Sequence, residues 1–132
     1  MSTFIRWSKF NAVGGMGMML QLSALGIFER CAPGHYILIS AVAVEIAILH
    51  NFIWHLHYTW RDRIDGSARL VPLVRFHLSN GLVSMVGNLA ILRFLVQRFR
   101  VPLLVADCIA ILCCSMINFG FGDRWVFKPA VS

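Results

Sequence analysis

The stretch Ile39-Ser40-Ala41-Val42-Ala43-Val44-Glu45-Ile46-Ala47-Ile48-Leu49 is apolar at every position except Ser40 and Glu45. Followed outward in both directions, the apolar run covers residues 36–59. A helix needs about 20 mostly apolar residues to cross a bilayer. This run is long enough, and it places a carboxylate near its middle.

Three more runs of similar character lie on either side, at residues 10–28, 70–96 and 103–121. Short polar turns separate them: Glu29-Arg30 with Pro33-Gly34, then the hairpin loop from Trp60 to Ser67, then Gln97-Arg98 with Arg100 and Pro102. Pro72 falls near the start of the third run, where proline is tolerated. The expected fold is therefore all-α: an integral membrane bundle of four transmembrane helices, with sequential helices antiparallel because their connections are short. Arg6 and Lys9 precede the first run in the manner of a secretory signal. That run is long, however, no A-x-A-like site follows it, and it reads as the first span.

Composition agrees. Of 132 residues, 58% are hydrophobic and only 14% are charged, against roughly 25% charged in a soluble domain. Lipid must cover much of such a surface. The net charge of +6 is carried between the apolar runs, which points to lipid head groups or other anions at the membrane surface and not to nucleic acid. Arg6, Lys9, Arg61, Arg63, Arg69, Arg75, Arg124 and Lys128 fall on the side of the termini and central loop; Arg30, Arg93, Arg98 and Arg100 fall on the other. The positive-inside rule then puts both termini in the cytoplasm; the expected location is the inner (cytoplasmic) membrane.

The chain also repeats itself. Phe10, Gly15, Asn51-Phe52 and Tyr58-Thr59-Trp60 recur as Phe76, Gly81, Asn118-Phe119 and Trp125-Val126-Phe127, 66 or 67 residues later. Each repeat holds two spans. An even number keeps both halves in one orientation, related by an axis along the membrane normal.

Glu45 is the sharpest candidate for function, because an acidic group near the bilayer centre costs on the order of 3 kcal/mol and must face a partner, water or the bundle interior. Glu45, Phe52 and Thr59 are seven apart, with Asn51 and His55 flanking them, and Asp107, Cys114 and Asn118 share a side of the fourth span. These seams could exchange a proton or cation or contact a ligand, or could bond the helices to one another. The clusters Trp60-Arg61-Asp62-Arg63 and Asp123-Arg124-Trp125-Val126-Phe127-Lys128 lie at the cytoplasmic boundary. Trp60 and Trp125 suit interface anchors, and Arg61, Arg63, Arg124 and Lys128, joined by Arg75, could bind lipid phosphate, since guanidinium groups grip phosphate bidentately. The small residues Gly14, Gly15, Gly17, Gly81, Ser84 and Gly87 permit close helix approach. His50, His55 and His57 do not share one face, and the four cysteines show no C-x-x-C spacing, so no metal site is expected. Without a Ser/His/Asp set, a phosphate-cradling glycine loop or a paired carboxylate, neither an enzyme nor a bound cofactor is expected.

The two closings Asn51-Phe52-x5-Tyr58-Thr59-Trp60 and Asn118-Phe119-x5-Trp125-Val126-Phe127, with the openings Lys9-Phe10 and Arg75-Phe76, resemble the GtrA-like family over about residues 6 to 128. The stretch from Glu45 to Arg63 is similar to the membrane domain fused to dolichol-phosphate-mannose-synthase-type glycosyltransferases. The resemblance implies a four-span membrane protein of cell-surface polysaccharide synthesis that works on polyprenyl-phosphate-linked sugars, as a flippase or in recycling the carrier. It departs from the family pattern at Leu112, which stands where the first half has Glu45, at Gly120 and Gly122, and at His55 and His57. The expected partners are polyprenyl phosphate or its sugar, membrane lipids, a glycosyltransferase and a second copy of the chain. Two other readings stay open: a membrane anchor that recruits a glycosyltransferase, and a small proton-coupled cation exporter, against which the uneven loop charge argues.

Overall fold

A computed structural model describes the backbone of residues 1–64 and 69–129, and the side chains of all of these except Tyr36, Ile37, Ser40, Leu103, Leu104 and Asp107. Asp65, Gly66 and Ser67 of the expected hairpin loop, and the Asp107 side chain, thus lie outside the described residues. The fold is an all-α membrane fold, with no strand among the described residues. Among the described residues, three helices are long and apolar enough to cross a membrane: Thr3–Cys31, Leu70–Phe99 and Cys108–Val126. The remaining expected span, 36–59, is helical throughout.

Helix α1 (Thr3–Cys31) starts seven residues before the expected span. The Ser2 hydroxyl caps it, accepting from the Ile5 amide at 3.4 Å, and the first turns are retained because Arg6 and Phe10, one turn apart, both point inward and are buried. The chain reverses through Gly34, whose φ of 92° lies in the left-handed region that glycine enters without strain. Helix α2 (Tyr36–Trp54) returns alongside α1 and ends in a π turn, His55–Thr59. Helix α3 (Leu70–Phe99) is wound as π turns over His77–Gly81 and Val83–Gly87. It stops at Arg100, a non-glycine residue at φ 51°, whose amide bonds back to the Leu95 carbonyl. Pro102 then cannot extend it. Helix α4 (Leu103–Phe121) likewise runs into a π turn, Gly122–Val126.

The chain divides into two compact units, Met1–Asp62 and Arg63–Ser132. Each is a helical hairpin: α1 packs on α2, and α3 packs on α4. The sequence repeat is repeated in the geometry. The π turn His55–Thr59 returns 67 positions on as Gly122–Val126. Each is closed by an amide reaching back five residues, Trp60 to the His55 carbonyl and Phe127 to the Gly122 carbonyl, both at 2.9 Å. Phe10 and Trp60 are buried and meet edge-on at 6.0 Å; their counterparts Phe76 and Phe127 are buried and meet at 6.1 Å. Ala43 and Ala110, also counterparts, are fully buried. Small side chains at such points let two helices approach until dispersion holds them, the main attraction left in lipid.

Candidate functional site

The aromatic-x-aromatic closings explain how each hairpin presents charge at one end. In the first, the middle of the hairpin is set by Gly17, where a Cβ would overlap the amide of Asn51. That close approach lets Phe10, seven residues earlier, reach His55. The His55 ring stacks on Phe10 with centroids 4.9 Å apart and planes 8° from parallel, meets Trp60 at 5.1 Å, and its Nδ1 shares a 2.9 Å hydrogen bond with the Thr59 hydroxyl. His55, Thr59 and Trp60 are all fully buried. Trp60, expected as an interface anchor and lipid contact, is packed against Phe10 and His55.

Cations gather around this plug. Lys9 stands over the Tyr58 ring at 4.5 Å, and its Nζ donates to the Tyr58 carbonyl at 3.5 Å. Arg6, buried, pairs with Asp62 at 2.9 Å. Arg61 is exposed on the short 3-10 turn Arg61–Arg63.

The second hairpin is built in parallel. Arg75, the counterpart of Lys9, stands 5.6 Å from the Trp125 ring centre and donates to the Trp125 carbonyl at 3.2 Å. Arg63 pairs with the Asp123 carboxylate at 2.9 Å and donates to the carbonyls of Asp123 at 2.7 Å and Phe127 at 3.4 Å. Arg124 and Lys128 are exposed. The five cations expected to collect phosphate thus divide: Arg63 and Arg75 hold the backbone of the π turn, while Arg61, Arg124 and Lys128 project outward. A groove of about 580 Å³ lies along Ile117, Gly120, Phe121, Arg124 and Trp125.

The intramembrane candidates also separate. Asn51 faces Gly17, and its Oδ1 lies 3.2 Å from the His50 Nδ1. Asn118, its counterpart, donates to the Ser84 hydroxyl at 3.2 Å. Beside it, the Cys114 thiol donates to the Val83 carbonyl at 3.6 Å, over a π-wound part of α3. Glu45 is exposed, whereas Phe52 and Thr59, which follow it at intervals of seven, are buried. The packed face of α2 changes along its length, from Ala43 and Ala47 to Phe52, His55 and Leu56. Among the described residues, no cluster of three His, Cys, Asp or Glu side chains could hold a metal ion. Sequence reasoning missed the roles of Arg6, Asp62 and Asp123 as closing ion pairs. The signal was present: Asp62 and Asp123 are the acidic residues of the two closing motifs, the first between Arg61 and Arg63 and the second beside Arg124.

These paired closings have a known counterpart. A family profile described as "GtrA/DPMS, transmembrane domain" matches residues 9–127. The chain belongs to the GtrA/DPMS transmembrane-domain family. It is similar to a dolichol-phosphate mannosyltransferase of Pyrococcus furiosus, with 28% identity over 124 residues, covering 94% of this chain and 32% of the relative. The chain thus spans about a third of the length of that relative. The GtrA/DPMS match covers both hairpins and both closing segments.

Proposed function

We propose that this GtrA/DPMS-family chain crosses the inner membrane four times, with both termini cytoplasmic, and translocates a polyprenyl-phosphate-linked sugar, or returns its lipid carrier, in cell-surface polysaccharide or glycolipid synthesis. The observation that carries the reading is the closing segment of each hairpin. A cation sits on an aromatic ring there, Lys9 on Tyr58 and Arg75 on Trp125, and further cations, Arg61, Arg124 and Lys128, are exposed beside it. Exposed guanidinium and ammonium groups next to apolar helix suit an anion whose other end is hydrocarbon. The charged head group must then cross a region where charge is expensive. Glu45, Asn51, Asp107 and Asn118 are polar groups of the second and fourth spans that this crossing would use, with His55 holding the buried end of the second span beside them. Four helices leave little room for a sugar head group, so a homo-oligomer or a lateral groove accompanies this reading.

Purified protein reconstituted into vesicles with fluorescent polyprenyl-phosphate sugar tests it. Faster loss of the inner-leaflet label than in protein-free vesicles is expected; equal rates overturn translocation.

A second reading is favoured by one comparison: a relative called a dolichol-phosphate mannosyltransferase is about three times as long as the part it shares with this chain. On that reading the chain anchors a separate glycosyltransferase and presents polyprenyl phosphate to it. Co-purification of a glycosyltransferase from native membranes supports it, and its absence from cross-linked native membranes counts against it.

A further inference from the structure

The two hairpins follow the same plan but differ on one face, and the difference is informative. In the second hairpin Ile117, Gly120, Phe121, Arg124 and Trp125 line a groove of about 580 Å³. Positions 120 and 124 correspond, 67 residues earlier, to Ile53 and His57. Ile53 places a branched side chain where Gly120 has none, and a Cβ on Gly120 would meet nothing within 4 Å, so this face is open space. His57 stands where Arg124 carries a permanent guanidinium, and both are exposed. Two other cations of this hairpin are otherwise engaged, Arg75 on Trp125 and Arg63 with Asp123, and the exposed Lys128 is not among the residues lining the groove. Arg124 is thus the exposed guanidinium at the charged end of an apolar groove.

We propose that this groove of the second hairpin, and not its counterpart in the first, is the binding site for an isoprenoid monophosphate. The phosphate sits on Arg124, and the first isoprene units lie over Gly120 between Ile117 and Phe121. The assignment rests on the polyprenyl-phosphate reading above and narrows it to one half of the repeat. Charge complementarity selects the occupant. One guanidinium matches one phosphate through two parallel hydrogen bonds, and the apolar lining takes branched hydrocarbon that an ordinary anion lacks.

The test uses the full chain in lipid nanodiscs with farnesyl phosphate as probe, and with farnesol and inorganic phosphate as separate competitors. Farnesyl phosphate is expected to bind and neither competitor alone to displace it. Arg124→Gln should weaken binding at least tenfold, and Arg124→Lys less, since it keeps the charge and loses the fork. Gly120→Ile, which installs the residue of the first hairpin, should also weaken binding at least tenfold. Ile53→Gly and His57→Gln should leave it unchanged. Arg124 is exposed, so its variants test the site even where Gly120→Ile lowers folding yield. Undiminished binding in Arg124→Gln, or in folded Gly120→Ile, overturns the groove while the polyprenyl-phosphate reading stands. No binding by the wild-type chain removes both.

Discussion

The guanidinium of Arg63 pairs with the carboxylate of Asp123 at 2.9 Å and also donates to that residue's main-chain carbonyl at 2.7 Å. Both side chains are largely withdrawn from the surface, at 16% and 21% exposure. One side chain thus fastens the start of the second hairpin to its closing π turn. Arg63→Gln and Asp123→Asn should each lower stability by about 1–3 kcal/mol, because each leaves a half-buried partner unpaired. The double variant should cost less than the sum of the two. Thermal unfolding in detergent, followed by size-exclusion elution, measures it; strictly additive losses would show that the two residues act separately.

Gly17 and Gly15 lie half a turn apart and should behave oppositely. Gly17→Ala drives a Cβ into the Asn51 amide, whereas Gly15→Ala meets nothing within 4 Å. The first should destabilise by about 1–3 kcal/mol through overpacking. The second should be neutral or slightly stabilising, since alanine is the better helix former. Melting temperatures of the two variants decide it, and equal values would mean that the helices are not in close contact at Gly17.

Thr59→Val isolates one hydrogen bond. The second hairpin already has Val126 at the corresponding buried position, so the shape fits a π turn of this kind. What is lost is the 2.9 Å bond to His55 Nδ1. Removing one hydrogen bond from a buried side chain costs about 1–3 kcal/mol. The same loss in a His55→Phe background would contradict a role through that bond.

Glu45 separates mechanism from architecture. Glu45→Gln keeps size and hydrogen bonding but removes charge and exchangeable proton. If the carboxylate works in translocation, vesicle transport should fall by about tenfold or more while melting temperature holds. Glu45→Leu should change insertion and assembly as well, by deleting polar contacts worth about 1 kcal/mol. Full transport by Glu45→Gln at every pH would move the recruitment reading ahead.

Much of this was legible because it depends on periods and lengths. The membrane runs follow from apolar content, and the repeat follows from a constant offset. Trp60 and Arg63 show where reading stopped. An interface tryptophan and a core tryptophan have the same neighbours in sequence; the packing of Trp60 against Phe10 and His55 appears only once the helices have come together. An arginine available to phosphate and one tied to a carbonyl are likewise identical until the turn is folded. The π turns were illegible for a related reason: their extra residue per turn is fixed by what the helix packs against, not by local propensity. Glu45 was placed by heptad spacing on one side with Phe52 and Thr59, but the packed face of α2 changes between Ala47 and Phe52.

Asp62 and Arg63 are neighbours of opposite charge, yet each is committed elsewhere: Asp62 to Arg6, and Arg63 to Asp123. What reads as one charged cluster holds two latches: Arg6 and Asp62 both belong to the first hairpin, and Arg63 and Asp123 to the second. Severing the chain just after Asp62 would keep the Arg6–Asp62 pair on one fragment and the Arg63–Asp123 pair on the other. The peptide joining these two residues is therefore the natural seam at which to divide the chain into separately expressed halves.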